Sequence, residues 1–367
     1  MSATEAVGGT ILAPGACRVM ETRLHLLRQG SAVRHRTVRV GDPSDETPEM
    51  RDRLRVLGDR LDRALGADPI AQAPGFSSGD FSTNEAAGWL YLDSGESVPG
   101  LPPDGGTMRE WGRTHLPGAS ALGLYPMQRT DDAGRVLAGG VADERSRILF
   151  TNMIDGIALR ARAAVFAEQV RTTAAQVGGP MHLLSLGCGA AVPVIDALAT
   201  LEDESEVTRD LVLVDLDPLA LAFATELAAD AGLTDRVTIV NDNIVRACRR
   251  LPREHCHLID MLGVWEYGSD RACESLIRSA LACLAPGGSI VVSNMLSGRP
   301  QLHFNQRGVG WPAVVPRSID CMVDIALSSG VAPDDLDVIV TEDGVYAVMV
   351  LTVRQRQDEP PLCEDDA

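Results

Sequence analysis

The chain of 367 residues contains no lysine: all 33 of its lysine-plus-arginine residues are arginine. No side-chain amine is available for a Schiff base, and the lysine of a Walker-type phosphate loop is missing, so pyridoxal-phosphate enzymes and that class of nucleotide hydrolase drop out. Aromatics are scarce, at 4%. No apolar run reaches the 18 residues that a membrane-spanning helix needs. The eight cysteines form no C-x-x-C pair and no framework spacing, so reduced, mostly buried thiols are expected. The densest basic stretch, Arg34 to Arg39, is short, while 51 acidic against 33 basic residues leave a net charge of −18. A surface that acidic repels phosphate backbones and anionic headgroups, so neither nucleic acid nor membrane is an expected partner. The opening MSATEAVGGTILAPGA lacks the basic start and apolar core of a signal peptide, and a cytoplasmic protein is expected. In His255-Cys256-His257 two imidazoles share one side of a strand with no third ligand nearby, so no metal is expected.

What remains is ordinary globular material, 45% hydrophobic and 23% charged. Residues 1–150 are rich in Gly, Pro, Asp and Ser, with long turn-prone stretches such as Asp93 to Gly106. One strong helix stands out there. Thr47 can cap it, Pro48 suits its first position, and Met50, Leu54, Leu57, Leu61 and Leu65 recur at helical spacing until Gly66. A strand pair around Gly30 is expected before it, and Glu85 to Leu92 reads as a short helix or a strand. Residues 355–367 form an acidic tail.

From Asp155 onward the pattern is regular. Helical stretches alternate with short, continuously apolar runs at Leu183 to Leu186, Leu211 to Val214, Val237 to Val240, His257 to Leu262 and Ile290 to Ser293. That alternation predicts an α/β fold with a doubly wound, mostly parallel sheet over 151–354. Val338 to Thr341 and Tyr346 to Val353, joined by Glu342-Asp343-Gly344, predict an antiparallel C-terminal hairpin closing one edge. Residues 1–150 are then an N-terminal extension, either a lid or a dimerisation region, so a homodimer is one expectation.

The first strand of that domain runs into Ser185-Leu186-Gly187-Cys188-Gly189, where glycines let the backbone turn sharply and approach a ligand beyond the strand ends. Val192 occupies the third glycine position of a dinucleotide fingerprint, which argues against a pyrophosphate there. Asp215 ends the next strand, placed for ribose hydroxyls; Asp215 and Asp217 each have a competing reading as helix caps. Asn241-Asp242-Asn243-Ile244 sets polar groups beside an apolar one, as an adenine edge and face require, or is an ordinary turn.

LSLGCGAA, VDLDP, VNDN and LAPGGSIVVSN, in that order, resemble the class I S-adenosylmethionine-dependent methyltransferases over roughly residues 150–353. Gly263-Val264-Trp265-Glu266-Tyr267 is similar to a stretch found in some small-molecule members. The resemblance implies a Rossmann-like fold and S-adenosylmethionine as cofactor, with Gly187 and Gly189 backing its methionine part, Asp215 the ribose, and Asp242, Asn243 and Ile244 the adenine. Ser185 and Gly263 complete the implied set. Ser185 stands where the family often has an acid.

A sulfonium methyl is already activated by its charge, so the protein mainly aligns the nucleophile and excludes water. Tyr267, Asn152, Ser293 and Asn294 are the candidate groups facing substrate; for Tyr267 the competing reading is a packed aromatic. Arg160 or Arg162 is a candidate partner for a carboxylate, unless each pairs with surface acids. Trp89, Tyr91 and Trp111 are candidates for a substrate pocket, or simply core. The expected activity is methyl transfer to a small molecule, in specialised metabolism. Two alternatives are kept: cyclisation of the cofactor to azetidine-2-carboxylate and methylthioadenosine, as in azetidine-2-carboxylate synthases of similar fold, and a non-catalytic cofactor-binding protein acting through a partner.

Overall fold

A computed structural model describes residues 17–27, 32–40, 48–67, 106–116, 120–202, 209–309, 311 and 314–353. Thr47, the stretch 85–92 with Trp89 and Tyr91, the turn-rich 93–105 and the tail 355–367 lie outside the described residues. Strands β1 (Cys17–Leu26), β2 (Ala32–Val40), β3 (Met181–Leu186), β4 (Arg209–Asp215), β5 (Val237–Asn241), β6 (Cys256–Met261), β7 (Leu284–Met295), β8 (Leu336–Thr341) and β9 (Tyr346–Thr352) form one sheet in the order β1-β2-β8-β9-β7-β6-β3-β4-β5. The ladders from β7 through β6, β3 and β4 to β5 are all parallel.

Helices α1 (Pro48–Ala67), α2 (Gly106–His115), α3 (Glu144–Asn152), α4 (Ile154–Val177), α5 (Val192–Glu202), α6 (Pro218–Asp230), α7 (Ile244–Arg250), α8 (Asp270–Leu281) and α9 (Ile319–Ser328) follow their local chemistry. Asp217 caps α6 through Leu219 N–H with Pro218 in the first turn, so its capping reading holds. Asn243, Ser269 and Ser318 cap α7, α8 and α9 in the same way. Both faces of the sheet are covered. Leu184, Leu186, Ile259 and Met261 pack with α7, α8 and α9, whereas Met181, Leu183 and Leu258 pack with α4, α5 and α6. This is why the strands are apolar without alternation. By the same two-residue period, Ser185 and Asp260 lie on the α4 side.

A third apolar layer lies under α1, α2 and α3. Leu54 is buried there, and Met50, Leu57, Leu61 and Leu65 pack against it, so the face read from the sequence does find a partner. Trp111 is fully buried in this layer and donates Nε1–H to the Gly123 carbonyl at 2.8 Å.

Two expectations need correction. The hairpin β8–β9 does not close the sheet: β9 inserts between β7 and β8, and β8 pairs in parallel with β2, so the β1–β2 hairpin forms the edge. The sheet is mixed, with five parallel ladders against antiparallel ones at β1–β2, β8–β9 and β7–β9. A third imidazole does lie beside His255 and His257: His182, from β3, stacks on them at 4.1 and 5.5 Å, with ring planes 23° and 19° apart. Nearly parallel rings do not converge their nitrogens, and among the described residues no group of three His, Cys, Asp or Glu is placed for a metal. No described helix is long and apolar enough to cross a membrane.

The third layer is tied to the domain by a buried ion pair, Arg299 Nη1 to Asp155 Oδ1 at 2.5 Å, with Asn305 donating to the same oxygen at 3.0 Å. Arg299→Met leaves a buried carboxylate without its counter-charge. We expect a loss of about 3–5 kcal/mol, read as a lower denaturation midpoint in urea; a change within 0.5 kcal/mol would show that the pair has little energetic role.

Candidate functional site

The sheet reverses its winding at β3: β4 and β5 extend to one side, β6 and β7 to the other. In open α/β sheets the crevice outside the strand ends at such a reversal is where ligands sit. A cleft of about 300 Å³ lies there. Its floor is the turn after β3. Gly187 and Gly189 both have left-handed backbones, φ +65° and +53°, and a Cβ on Gly187 would stand 2.5 Å from Val264 Cγ2. Asp215 stitches this turn to the end of β4, accepting from Gly189 N–H at 2.8 Å and Asp217 N–H at 2.9 Å. Each oxygen keeps a lone pair for a ligand. The roof comes from the N-terminal region, through Ala121, Leu124 and Gln128.

Tyr267, Ser185, Gly187, Gly189, Asp215, Asn243, Ile244 and Gly263 all line this cleft. Asn243 is a helix cap as well: its Oδ1 accepts from Val245 and Arg246 N–H, leaving its NH2 group to face a ligand. Gly263 has φ +88° at the junction with a smaller inner cavity.

Four candidates do not line it. Asp242 is turned to Arg250 at 2.8 Å and Arg246 at 3.2 Å. Asn152 donates back to the Ile148 carbonyl within α3. Asn294 is consumed in bracing, donating to the Met295 and Val315 carbonyls and accepting from Arg317. Ser293 is fully buried and accepts from Arg162 at 3.3 Å, which makes it a support for that arginine. β7 continues past Ser293 to Met295, so these residues lie inside the strand instead of at an open end.

Arg160 and Arg162 part company. Arg160 donates to the carbonyls of Met127 and Thr151 and so pins the roof to α4. Arg162 is buried, lines the cleft, stacks on Tyr346 with its guanidinium 4.6 Å from the ring centroid, and stands 3.8 Å from Glu266. Its Nε has no hydrogen-bond partner.

Two acids in the site had no role assigned from the sequence. Asp260 sits opposite Ser185 across the β3–β6 ladder, lines the cleft and is buried. Burial pushes its carboxyl up to about 6, against the opposing pull of the Ser185 hydroxyl, Leu262 N–H and Arg162. An acid therefore does stand beside position 185, supplied from the adjacent strand at the same level. An Asp inside an apolar strand is the signal that finds it, because a buried carboxylate needs a partner. Glu266 is likewise buried, with its carboxyl raised by burial and held back by Arg162. The rim is Tyr267, half exposed, whose hydroxyl accepts from Trp311 Nε1 at 2.8 Å and is raised to about 12 by burial of the phenol and by Glu266.

No family model matches the chain. A stretch of 109 residues, 30% of the chain, is 27% identical to the probable cobalt-precorrin-6B C(15)-methyltransferase (decarboxylating) of Pyrobaculum aerophilum. The chain spans about half the length of that relative. Among solved structures, a possible exported protein from Bordetella parapertussis superposes with TM-score 0.53 at 20% identity, over 79% of this chain and all of that one, and so shares the fold. The citrinin polyketide synthase CMeT domain aligns with TM-score 0.47 at 16% identity, over 85% of this chain and 90% of that one.

The turn itself can be tested without a ligand. Gly187→Ala meets both the left-handed strain, about 1–2 kcal/mol, and the Val264 methyl. Gly287→Ala meets strain alone, since its φ is +80° with nothing within 4 Å of the added carbon. Urea denaturation is expected to show the larger loss for Gly187→Ala; equal losses would mean that the close approach to Val264 costs nothing.

Proposed function

We propose that this chain is a class I S-adenosylmethionine-dependent methyltransferase and transfers the methyl group of S-adenosylmethionine to a small-molecule acceptor. The observation that carries this reading is a pair of cavities sharing one wall. The cleft and the inner cavity both include Leu124, Arg162, Gly263, Tyr267 and Trp311. A second cavity against the first gives the reacting group of a separate acceptor a place beside the cofactor, which cyclisation of the cofactor does not require.

The cleft fits the cofactor's charges. Asp215 and Asp260 against Arg162 leave it formally one negative charge, opposite in sign to a ligand carrying a sulfonium, an ammonium and a carboxylate. In this reading Asp260 and Ser185 hold the ammonium, Arg162 offers Nε–H to the carboxylate, Asp215 accepts from the ribose hydroxyls, and Asn243 with Ile244 meets the adenine. When bound, the sulfonium supplies a methyl carbon already activated for substitution. The chain's own work is to orient that carbon toward the inner cavity and to keep water out, with Tyr267 and Trp311 closing the wall between the chambers.

Calorimetry with S-adenosylhomocysteine tests the reading. The ionised Asp260 is the form that holds an ammonium, so affinity is expected to be full above roughly pH 7 and to fall as pH drops through the raised value near 6. Asp260→Asn should weaken binding about tenfold or more at pH 7.5 and remove that pH dependence. Because it deletes a desolvated charge, it should not lower the melting temperature of the free protein. No heat with this ligand, alongside clear uptake of a nicotinamide nucleotide, would sink the proposal.

A further inference from the structure

The inner cavity, about 40 Å³, is walled by flat and polarisable side chains, notably Trp111, Trp311, Tyr346, Met153 and Met295. At that size it admits a hydroxyl and the leading edge of a planar ring, against walls of matching polarisability. Its polar lining is unbalanced. Both carboxylate oxygens of Glu266, Oδ2 of Asp155 and Oδ1 of Asn305 are buried without a hydrogen-bond partner, whereas the unpartnered donor among the described lining residues is Arg162 Nε. The peptide N–H groups of Glu266 and Met295 ease the Glu266 charge without reaching hydrogen-bonding geometry. Buried acceptors left open at this density mark a place where a ligand is expected to donate. Asp155 already has Arg299 as its counter-charge and Glu266 has Arg162, so the lining holds no spare cation for a carboxylate ligand.

Resting on the methyltransferase reading, we infer that the acceptor is an aromatic hydroxyl compound whose O–H points into the inner cavity, and that Glu266 is the group that takes its proton. As the acceptor oxygen forms its bond to the methyl carbon, the carbon–sulfur bond breaks with its electron pair left on sulfur, and the O–H proton passes to the Glu266 carboxylate. The products are the methyl ether, neutral S-adenosylhomocysteine and a protonated Glu266, so charge and atoms balance. Glu266 suits the task because it sits beside the wall shared by the two chambers, and burial favours its protonated form after transfer. Arg162, at 3.8 Å, opposes that rise and favours the ionised form that accepts the proton.

The test uses phenol, anisole, aniline and benzoate as probes, titrated calorimetrically into the full chain with and without S-adenosylhomocysteine. Phenol is expected to bind at least tenfold more tightly than anisole, which has the same ring and no donor, and benzoate to bind worst. Glu266→Gln should shrink the phenol preference to under threefold while leaving S-adenosylhomocysteine affinity within threefold of wild type, which also shows that the variant is folded. With S-adenosylmethionine and phenol, catechol or 4-nitrophenol, the wild type should release S-adenosylhomocysteine. Glu266→Gln should be about 100-fold slower, least so for 4-nitrophenol, whose proton is already loosely held. The inference is overturned if anisole matches phenol, if aniline or benzoate binds more tightly than phenol, if no phenol is turned over, or if Glu266→Gln is as fast as wild type. Failure of S-adenosylhomocysteine to bind would instead remove the methyltransferase reading, and the phenol–anisole comparison would still decide what the inner cavity accepts.

Discussion

Arg162 is a permanent charge held almost out of water at the seam between two chambers, and much of the surrounding architecture follows from keeping it there. Taking a guanidinium out of water costs several kcal/mol unless charges and dipoles replace the lost hydration. Here the replacement is spread over three elements: Ser293 from β7, Glu266 from the loop after β6, and the ring of Tyr346 from β9. None of these is a tight bidentate clamp. Nε stays open and the Glu266 contact is a loose 3.8 Å. A charge supported this incompletely is stable enough to fold around and still able to gain from a ligand, which is the balance a binding site needs and a structural ion pair does not. Arg299 and Asp155, at 2.5 Å, show the other regime.

The parts of the fold that were legible in the sequence are those in which one local rule dominates. The apolar strands, the glycine turn and the amphipathic α1 needed only periodicity and backbone sterics. The C-terminal hairpin was legible as a hairpin, but its place was not, because strand neighbours are chosen by nonlocal pairing: β2 lies about 300 residues from β8 in sequence, and their register is a tertiary outcome. Helix α9 escaped for a different reason: its Ser318 cap and buried Met322, Val323, Ile325 and Ala326 are plain once seen, yet it falls in a stretch without the flanking strand signals that fixed the other units.

Within the site, residues whose job is carried by the backbone were readable, and those whose job depends on a side chain's direction were not. Gly187, Gly189 and Gly263 had to turn whatever surrounded them. Asn294 and Ser293 looked equally suited to substrate, but Asn294 is spent bracing Arg317 and Ser293 is spent on Arg162. Asp242 was claimed by Arg246 and Arg250, an outcome favoured in a chain whose lysine-plus-arginine residues are all arginine. Asp260 is conspicuous as an acid inside an apolar strand, but its role depends on the parallel register of β3 and β6, which alone sets it level with Ser185.

The N-terminal region completes the site instead of merely preceding it. Gln128 and Leu124 roof the cleft, Trp111 walls the inner cavity, and Arg160 fastens the roof by donating to carbonyls on two separate segments. Gly156 allows the start of α4 to pass so close to the Phe150 carbonyl that a Cβ would stand 2.1 Å from it, which brings α3 and the roof down onto the sheet ends. The glycine turn and Asp215 sit on sheet strands and their turns, so they are held by ladder hydrogen bonds. The inner chamber's walls belong partly to the layer over those strand ends, where packing and a few side-chain hydrogen bonds, such as Trp111 to the Gly123 carbonyl and Trp311 to Tyr267, fix them. On the proposed reading, recognition of the cofactor falls to the sheet ends and recognition of the acceptor to the layer over them. A change of acceptor would on that reading be met by altered walls at Trp111, Met153 or Trp311, with the turn after β3 untouched.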